Sequence, residues 1–258
     1  GRYQGYWATS CVNCGPRYSI ISELPYDRER TSMAVFPVCP DCDSEYHDPF
    51  SRRHHAQTIT CPICGPGLSL LDREGNHVEC CDVIRETAML LDNGSIVALR
   101  GVGGFHIACI EESAGDLKRR LGRTEQPFAV MVRPDFMERM TRLSAAERMI
   151  LEGIERPIVV LEKRDPTAHP EISNLHTIGC MLPYTGLHHL LFRYLENPLL
   201  IMTSANMPGY PMVTLPLPKP SGITSLVPSR QTVLPAVPPV RPRAATRRAG
   251  GPAARPAR

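Results

Sequence analysis

Six of the ten cysteines stand as three CxxC pairs, Cys11-Val-Asn-Cys14, Cys39-Pro-Asp-Cys42 and Cys61-Pro-Ile-Cys64. A CxxC turn sets two thiolates at adjacent corners of a tetrahedron, and a second turn supplies the other two. Eighteen residues separate Cys42 from Cys61, a spacing that suits a zinc ribbon built from Cys39, Cys42, Cys61 and Cys64. Such pairs suit metal thiolates in a reducing compartment better than a secreted disulfide framework. Four thiolates close the coordination shell, so the metal is expected to fold the domain and not to do chemistry.

An internal repeat complicates the assignment. Cys11-Val-Asn-Cys14-Gly15-Pro16 matches Cys61-Pro-Ile-Cys64-Gly65-Pro66 at an offset of fifty, and Arg2 precedes Arg52 by the same interval. The offset puts the counterparts of Cys39 and Cys42 before Gly1, so the first finger is expected to be represented by half. Tandem pairing leaves Cys11 and Cys14 without partners. Interleaved pairing groups them with Cys39 and Cys42 and leaves Cys61 and Cys64 over. Both pairings fit the spacing, and all six cysteines are candidate ligands. His54 and His55 are alternative ligands to a thiolate, whereas Cys80, Cys81, Cys109 and Cys180 read as structural.

At 258 residues, 42% of them apolar, the chain is able to bury a core. No run of eighteen apolar residues and no signal-peptide pattern is present, so a cytoplasmic location is expected. The net charge of +3 averages two unlike parts. Seven arginines and one lysine fall after Thr214, leaving about −5 on residues 1–213. Residues 214–258 are rich in Pro, Arg and Ala with no carboxylate and no aromatic residue, so a disordered tail is expected. The abrupt change fits a frame-shifted or chimeric end better than a functional basic arm.

Three regions follow: a zinc-finger region over 1–80, an α/β domain over 82–213, and the tail. In the second, Asp82 caps a helix carrying Ile84, Ala88 and Leu91 on one face, and Gly94 ends it. Ser144 and Glu147 make a capping box, and a further helix is expected over 188–195. Strands are expected at 96–99, 128–132, 158–161 and 199–202. Leu99-Arg100-Gly101-Val102-Gly103-Gly104-Phe105-His106 runs from a strand into a glycine turn able to approach phosphate. Lys118, Arg119, Arg120 and Arg123 form a basic cluster, either anion-binding or a solvated face. Thr203-Ser204-Ala205-Asn206 ends a strand where α/β sheets often hold ligands.

These motifs, together with Leu24-Pro-Tyr-Asp-Arg28, Glu45-Tyr46-His-Asp48-Pro49, His55-Ala56-Gln57 and Met181-Leu-Pro-Tyr-Thr185 through His188-His189-Leu190-Leu191, resemble the HypF-type carbamoyltransferases of [NiFe]-hydrogenase maturation over residues 1 to about 213. The resemblance implies zinc fingers followed by a YrdC-like domain with a twisted sheet around a basic cavity. It implies that carbamate derived from carbamoyl phosphate is joined to ATP, with Mg²⁺, as carbamoyl adenylate. It further implies transfer of the carbamoyl group to a HypE-type acceptor protein by a domain absent from this chain. Carried onto matching positions, Arg100 and Arg123 neutralise phosphate charge as catalytic and nucleotide-binding residues, and Ser204 and Asn206 hold the adenylate. The family usually has Lys two residues before Arg123, where this chain has Leu121, which implies slow adenylation unless Lys118 or Arg120 compensates. Two other readings fit the same residues: a zinc-ribbon and YrdC-like module that binds RNA, and an inactive gene piece. The acidic balance of residues 1–213 and the lack of interleaved aromatics speak against RNA.

Overall fold

The computed structural model describes residues 1–123 and 125–205 and the backbone of Thr224–Ser229. Its centre is a mixed sheet of nine described strands in the order β2-β1-β9-β3-β4-β8-β5-β7-β6. These are β1 (Gly67–Leu71), β2 (His77–Val78), β3 (Val97–Arg100), β4 (Phe105–Cys109), β5 (Ala129–Val132), β6 (Val159–Glu162), β7 (Thr177–Met181), β8 (Leu199–Ser204) and β9 (Thr224–Ser229). Strand β8 lies in the middle, antiparallel to both β4 and β5. Its Leu199-Leu200-Ile201-Met202 run is apolar at every position because both faces are covered.

Helices cover the two faces. Against one lie α3 (Ala114–Leu121), α4 (Pro134–Met140) and α5 (Ala145–Glu152), which bring Leu117, Met137, Met140 and Leu151 onto Ile107, Val130 and Ile201. Against the other lie α2 (Val83–Asp92) and α6 (Gly186–Tyr194), which bring Leu91, Leu187 and Leu191 onto Leu99, Met131 and Met202. The fold is therefore α/β with three layers. Asp82 caps α2 through the backbone N–H groups of Ile84 and Arg85, and Ser144 with Glu147 forms the expected capping box of α5. Cys109 and Cys180 are buried in the first core, where burial pushes both thiols up to about 12.

Two stretches of the sheet lie near the expected boundaries. The sheet begins at Gly67, inside the region assigned to the fingers, because Leu68 packs on the second core and β9 joins β1 to β3. The expected disordered tail lies outside the described residues except at Thr224–Ser229, which form β9, antiparallel to β1 and parallel to β3. Pro228 sits past the β3 ladder, which ends at Leu226, so its missing N–H interrupts no bond on that side. Among the described residues no helix is long and apolar enough to cross a membrane.

The finger region seats on the sheet domain through Trp7, which packs against the second core. The Trp7 carbonyl comes so close to α6 that a Cβ on Gly186 would stand 2.5 Å from its oxygen. Gly186 is the first residue of α6, so the helix start itself requires glycine under this segment.

Candidate functional site

The cysteine cluster forms from two unlike turns. Cys39 is the N-cap of α1 (Pro40–His47), with Pro40 in its first turn and Asp41 and Asp43 facing the positive helix end. The backbone N–H of Cys42 donates to Cys39 and draws that thiol down to about 7, while burial pushes Cys42 up to about 12. Cys61 and Cys64 lie on a turn closed by Gly65 N–H donating to the Cys61 carbonyl at 2.8 Å. Gly65 is obligatory there, because a Cβ would meet Tyr6 Oη and the Thr60 side chain.

The sulfurs of Cys39, Cys42, Cys61 and Cys64 all lie within 4.8 Å of one another. Cys39 to Cys61 is 3.7 Å, Cys61 to Cys64 is 3.8 Å, and Cys64 to Cys42 is 3.7 Å. A tetrahedron with metal–sulfur bonds of about 2.3 Å has edges of about 3.8 Å, so the cluster fits one four-coordinate metal ion. The interleaved grouping is not formed. Cys11 and Cys14 are exposed and lie outside the one metal-competent group among the described residues. Their turn repeats the other, with Gly15 N–H donating to the Cys11 carbonyl at 2.8 Å, and it packs beside the cluster through Val12 and a Ser10 to Thr58 hydrogen bond of 2.6 Å. His54 and His55 meet edge-on and take no part in the cluster.

Outside the sulfurs stands a shell that spacing does not reveal. Tyr3 Oη lies 3.7 Å from Cys42 Sγ and donates to Glu45 at 2.8 Å, Arg2 pairs with Glu45 at 2.8 Å, and the Arg53 guanidinium stacks 3.7 Å over the Tyr3 ring. This network ties the first repeat to helix α1 of the second and orients one ligand from outside.

The second constellation gathers at one end of the sheet, where β3 and β8 finish and β4 begins. Directly paired residues share a face and successive ones alternate. Arg100 pairs with Phe105, and Thr203 with Ile107, so these four share the face covered by α3. Gly122, at φ 63, ends α3 and lets Arg123 N–H return to the Lys118 carbonyl at 2.9 Å. Arg123 then reaches Thr203 Oγ1 at 3.3 Å, with its guanidinium 5.8 Å from the Phe128 ring. Arg100 is half-buried, stands 5.8 Å from the Phe105 ring, and has its pKa lowered by burial. Two cations 23 positions apart in sequence are thus brought to one end of one face.

Ser204 ends β8 on the opposite face, paired with His106, while Asn206 lies outside the described residues. Leu121 packs against the first core. Of the basic residues near it, Arg119 and Arg120 both pair with Asp116, at 3.1 and 2.7 Å. On the Ser204 face sit three residues to which sequence reasoning assigned no role: His106, His188 and Tyr184. His188 is 2% exposed and its ring meets that of Tyr184 edge-on at 4.5 Å. The available signal was their place in the two motifs Leu99–His106 and Met181–Leu191, which carry these residues without saying where the folded chain puts them.

Both regions of the chain are similar to known proteins. Residues 1–21 and 38–71 match the HypF finger family, and residues 89–217 match the Sua5, YciO and YrdC family described as telomere recombination. The chain is 43% identical over 216 residues to the carbamoyltransferase HypF of Rhodobacter capsulatus, covering 83% of this chain and 29% of that protein. It is 47% identical over 218 residues to the probable carbamoyltransferase HypF of Methanocaldococcus jannaschii, covering 82% and 28%. A crystal structure of T. kodakarensis HypF superposes with a TM-score of 0.84 at 40% identity, over 89% of this chain and 31% of that one. Full-length HypF in a phosphate- and nucleotide-bound form superposes at 0.82 with 39% identity, over 90% and 32%. The chain spans less than a third of the length of these relatives.

Proposed function

The chain belongs to the Sua5, YciO and YrdC family, with a HypF finger ahead of that domain, and from this membership we propose that it is the zinc-finger and adenylate-forming segment of a HypF-type carbamoyltransferase acting in [NiFe]-hydrogenase maturation. The observation that carries the reading is that Arg100 and the Thr203-bound Arg123 stand on one face at the end of the sheet, beside the glycine turn 101–104. Two guanidiniums on one face suit the triphosphate of a nucleotide, and a HypF that is similar over this segment is described in a phosphate- and nucleotide-bound form.

In this reading a carbamate oxygen attacks the α-phosphorus of ATP, the bond to the β-phosphate oxygen breaks, and pyrophosphate leaves with both electrons of that bond. Arg100 and Arg123 offset the charge that grows on the phosphate oxygens, Ser204 and Asn206 hold the adenylate, and Thr203 fixes the Arg123 guanidinium. Mg²⁺ bound with ATP supplies further neutralisation of phosphate charge. Carbamate arises from carbamoyl phosphate, and the carbamoyl group passes to a HypE-type acceptor, through parts of the relatives outside this chain. The Cys39, Cys42, Cys61 and Cys64 cluster holds structural Zn²⁺, and its closed thiolate shell leaves no position for a reacting water. Cys11 and Cys14 stand on a turn that repeats the one at Cys61 and Cys64.

The test is pyrophosphate release from ATP and ammonium carbamate by the full chain. Release that depends on carbamate and falls at least 100-fold in Arg123→Ala is expected. No carbamate-dependent release above background removes the activity from this chain. An RNA-binding module would instead show a salt-dependent shift with double-stranded RNA and no release.

A further inference from the structure

A crevice opens at the end of the sheet away from Arg100 and Arg123. Strands β5 and β7 are parallel neighbours. From β5 the chain turns into α4, on the face of the first core, whereas from β7 it turns into α6, on the face of the second. Adjacent parallel strands whose helices leave to opposite faces keep a space beyond their carboxyl ends, and α/β sheets hold ligands in such spaces. The space left here is about 480 Å³. Val132, the last residue of β5, pairs with Leu199 at the start of β8. At about 3.3 Å per residue, Ser204 at the far end of β8 is on the order of 16 Å from Leu199, so the crevice is a different place from the proposed adenylate site.

Its lining defines the ligand. Leu182 and Pro183, just past β7, and Phe192 of α6 give it an apolar wall, and Arg133, Glu152, Arg156 and His189 give it polar groups. Two of these charges are already met: Arg133 makes two contacts of 3.2 Å with Asp135, and Glu152 lies 3.5 Å from Arg148. Arg156 is different. It is half-buried, and its side chain has neither a hydrogen bond nor an ion pair among the described residues. Its φ of 45 puts a non-glycine residue in the left-handed region, a strain that collects at functional sites. Burial, and next the charge of Arg156, lower the pKa of His189, so this ring is neutral at pH 7 and offers one donor and one acceptor nitrogen. The crevice thus holds one uncompensated positive charge, a neutral hydrogen-bonding ring and an aliphatic wall. A carboxylate accepts two parallel bonds from one guanidinium and balances its charge, whereas a phosphate dianion brings one negative charge too many to a space that Glu152 also lines.

We propose that this crevice binds a small organic carboxylate, its oxygens on Arg156 and His189 and its aliphatic body against Leu182, Pro183 and Phe192. Butyrate is the probe, added at neutral pH to the full chain labelled with ¹⁵N-histidine, with His189 assigned through His189→Gln. Butyrate is expected to move the His189 ring resonances with half-saturation at about 1–10 mM, and formate, which lacks the aliphatic body, to bind about 10-fold more weakly. Inorganic phosphate is expected to bind more weakly than butyrate. Arg156→Gln is expected to weaken butyrate about 10-fold, while Arg193→Gln, which removes an exposed charge from the helix that carries His189, leaves it within about 2-fold. No saturable shift in the parent, formate or phosphate binding as tightly as butyrate, or a loss in Arg156→Gln no greater than that in Arg193→Gln overturns the inference. The first two are read in the parent protein and hold whether or not the Arg156 variant folds. None of these outcomes bears on pyrophosphate release, so the adenylate reading stands or falls separately.

Discussion

Leu121 shows how one residue bears on both stability and chemistry. It is the last residue of α3 and packs against the first core, at the position where the resemblance leads one to expect lysine. Of the two residues expected to compensate, Lys118 stands three residues earlier in α3 and Arg120 pairs with Asp116 at 2.7 Å. Leu121→Lys is therefore expected to raise carbamate-dependent pyrophosphate release about 10-fold, at a stability cost below about 1.5 kcal/mol, since a lysine stem covers apolar surface while its head reaches water. Release unchanged in the variant, with Tm within a few degrees, defeats the argument. Gly65 offers a purely structural counterpart. A methyl there meets Tyr6 Oη and Thr60, so Gly65→Ala is expected to destabilise the finger by about 1–3 kcal/mol, read as earlier metal loss in a chelator titration. The alanine variant holding its metal like the parent would show that the turn has room to shift.

At the scale of elements, helices α2, α5 and α6 were legible and α1, α3 and α4 were not. Helix α2 follows from Asp82, its apolar face and Gly94, and the structure places each as expected. Asp82→Ala removes the acceptor for two backbone N–H groups and is expected to cost about 1 kcal/mol in urea unfolding, with no change in metal content. Four strands were legible because they are unbroken apolar runs. Strands β4 and β7 were not, for β4 begins beneath the glycine turn and carries His106 on a covered face, and β7 contains Gly179 and Cys180 in place of branched residues. Strands β1, β2 and β9 have a sense only in pairing with one another and with β3, a long-range relation that local pattern does not hold. The site follows the same division. Spacing alone identified the four clustered thiols, while the choice between tandem and interleaved pairing depended on how residues 43–60 fold back through α1. Register across β3, β4 and β8 was needed to see that Ser204 and Arg100 leave the sheet on opposite faces.

At the scale of the molecule, pH acts through the second core. His188 is neutral in the folded chain, with a pKa near 3, and has its ordinary value of about 6.5 when unfolded. Its folded pKa is depressed, so its contribution to stability is complete above about 6.5. As the pH falls below that, the unfolded chain takes up a proton that the folded chain refuses, and stability declines toward pH 3 by roughly 1 kcal/mol per unit. Urea unfolding of the parent at pH 7 and pH 5 is expected to show this loss, and His188→Phe to show less of it. The same slope in both proteins would place the proton uptake elsewhere.

The metal cluster and the sheet are joined by a short chain of contacts that makes metal loss visible from a distance. Pro66, two residues beyond Cys64, accepts hydrogen bonds from Tyr6 Oη at 3.0 Å and from Trp7 Nε1 at 3.1 Å. Trp7 in turn packs on the second core with its carbonyl against Gly186. The cluster's own core is small, only Cys42, Ala56, Ile59, Cys61 and Cys64 being fully buried in it, so without metal it has too little apolar burial to stay folded. Freed of metal, the 61–64 turn releases Pro66, and Trp7 loses its indole partner. Since Trp7 is the one tryptophan of the chain, chelation is expected to shift its fluorescence to the red, while the sheet, whose two cores lie beyond the cluster, keeps its far-ultraviolet strand signal and a cooperative thermal transition. Cys64→Ser should reproduce the chelated spectrum without chelator, and Cys11→Ser should not. A red shift accompanied by loss of the strand signal would mean that the metal holds the whole chain, and no shift at all would mean that Trp7 is anchored by the sheet alone.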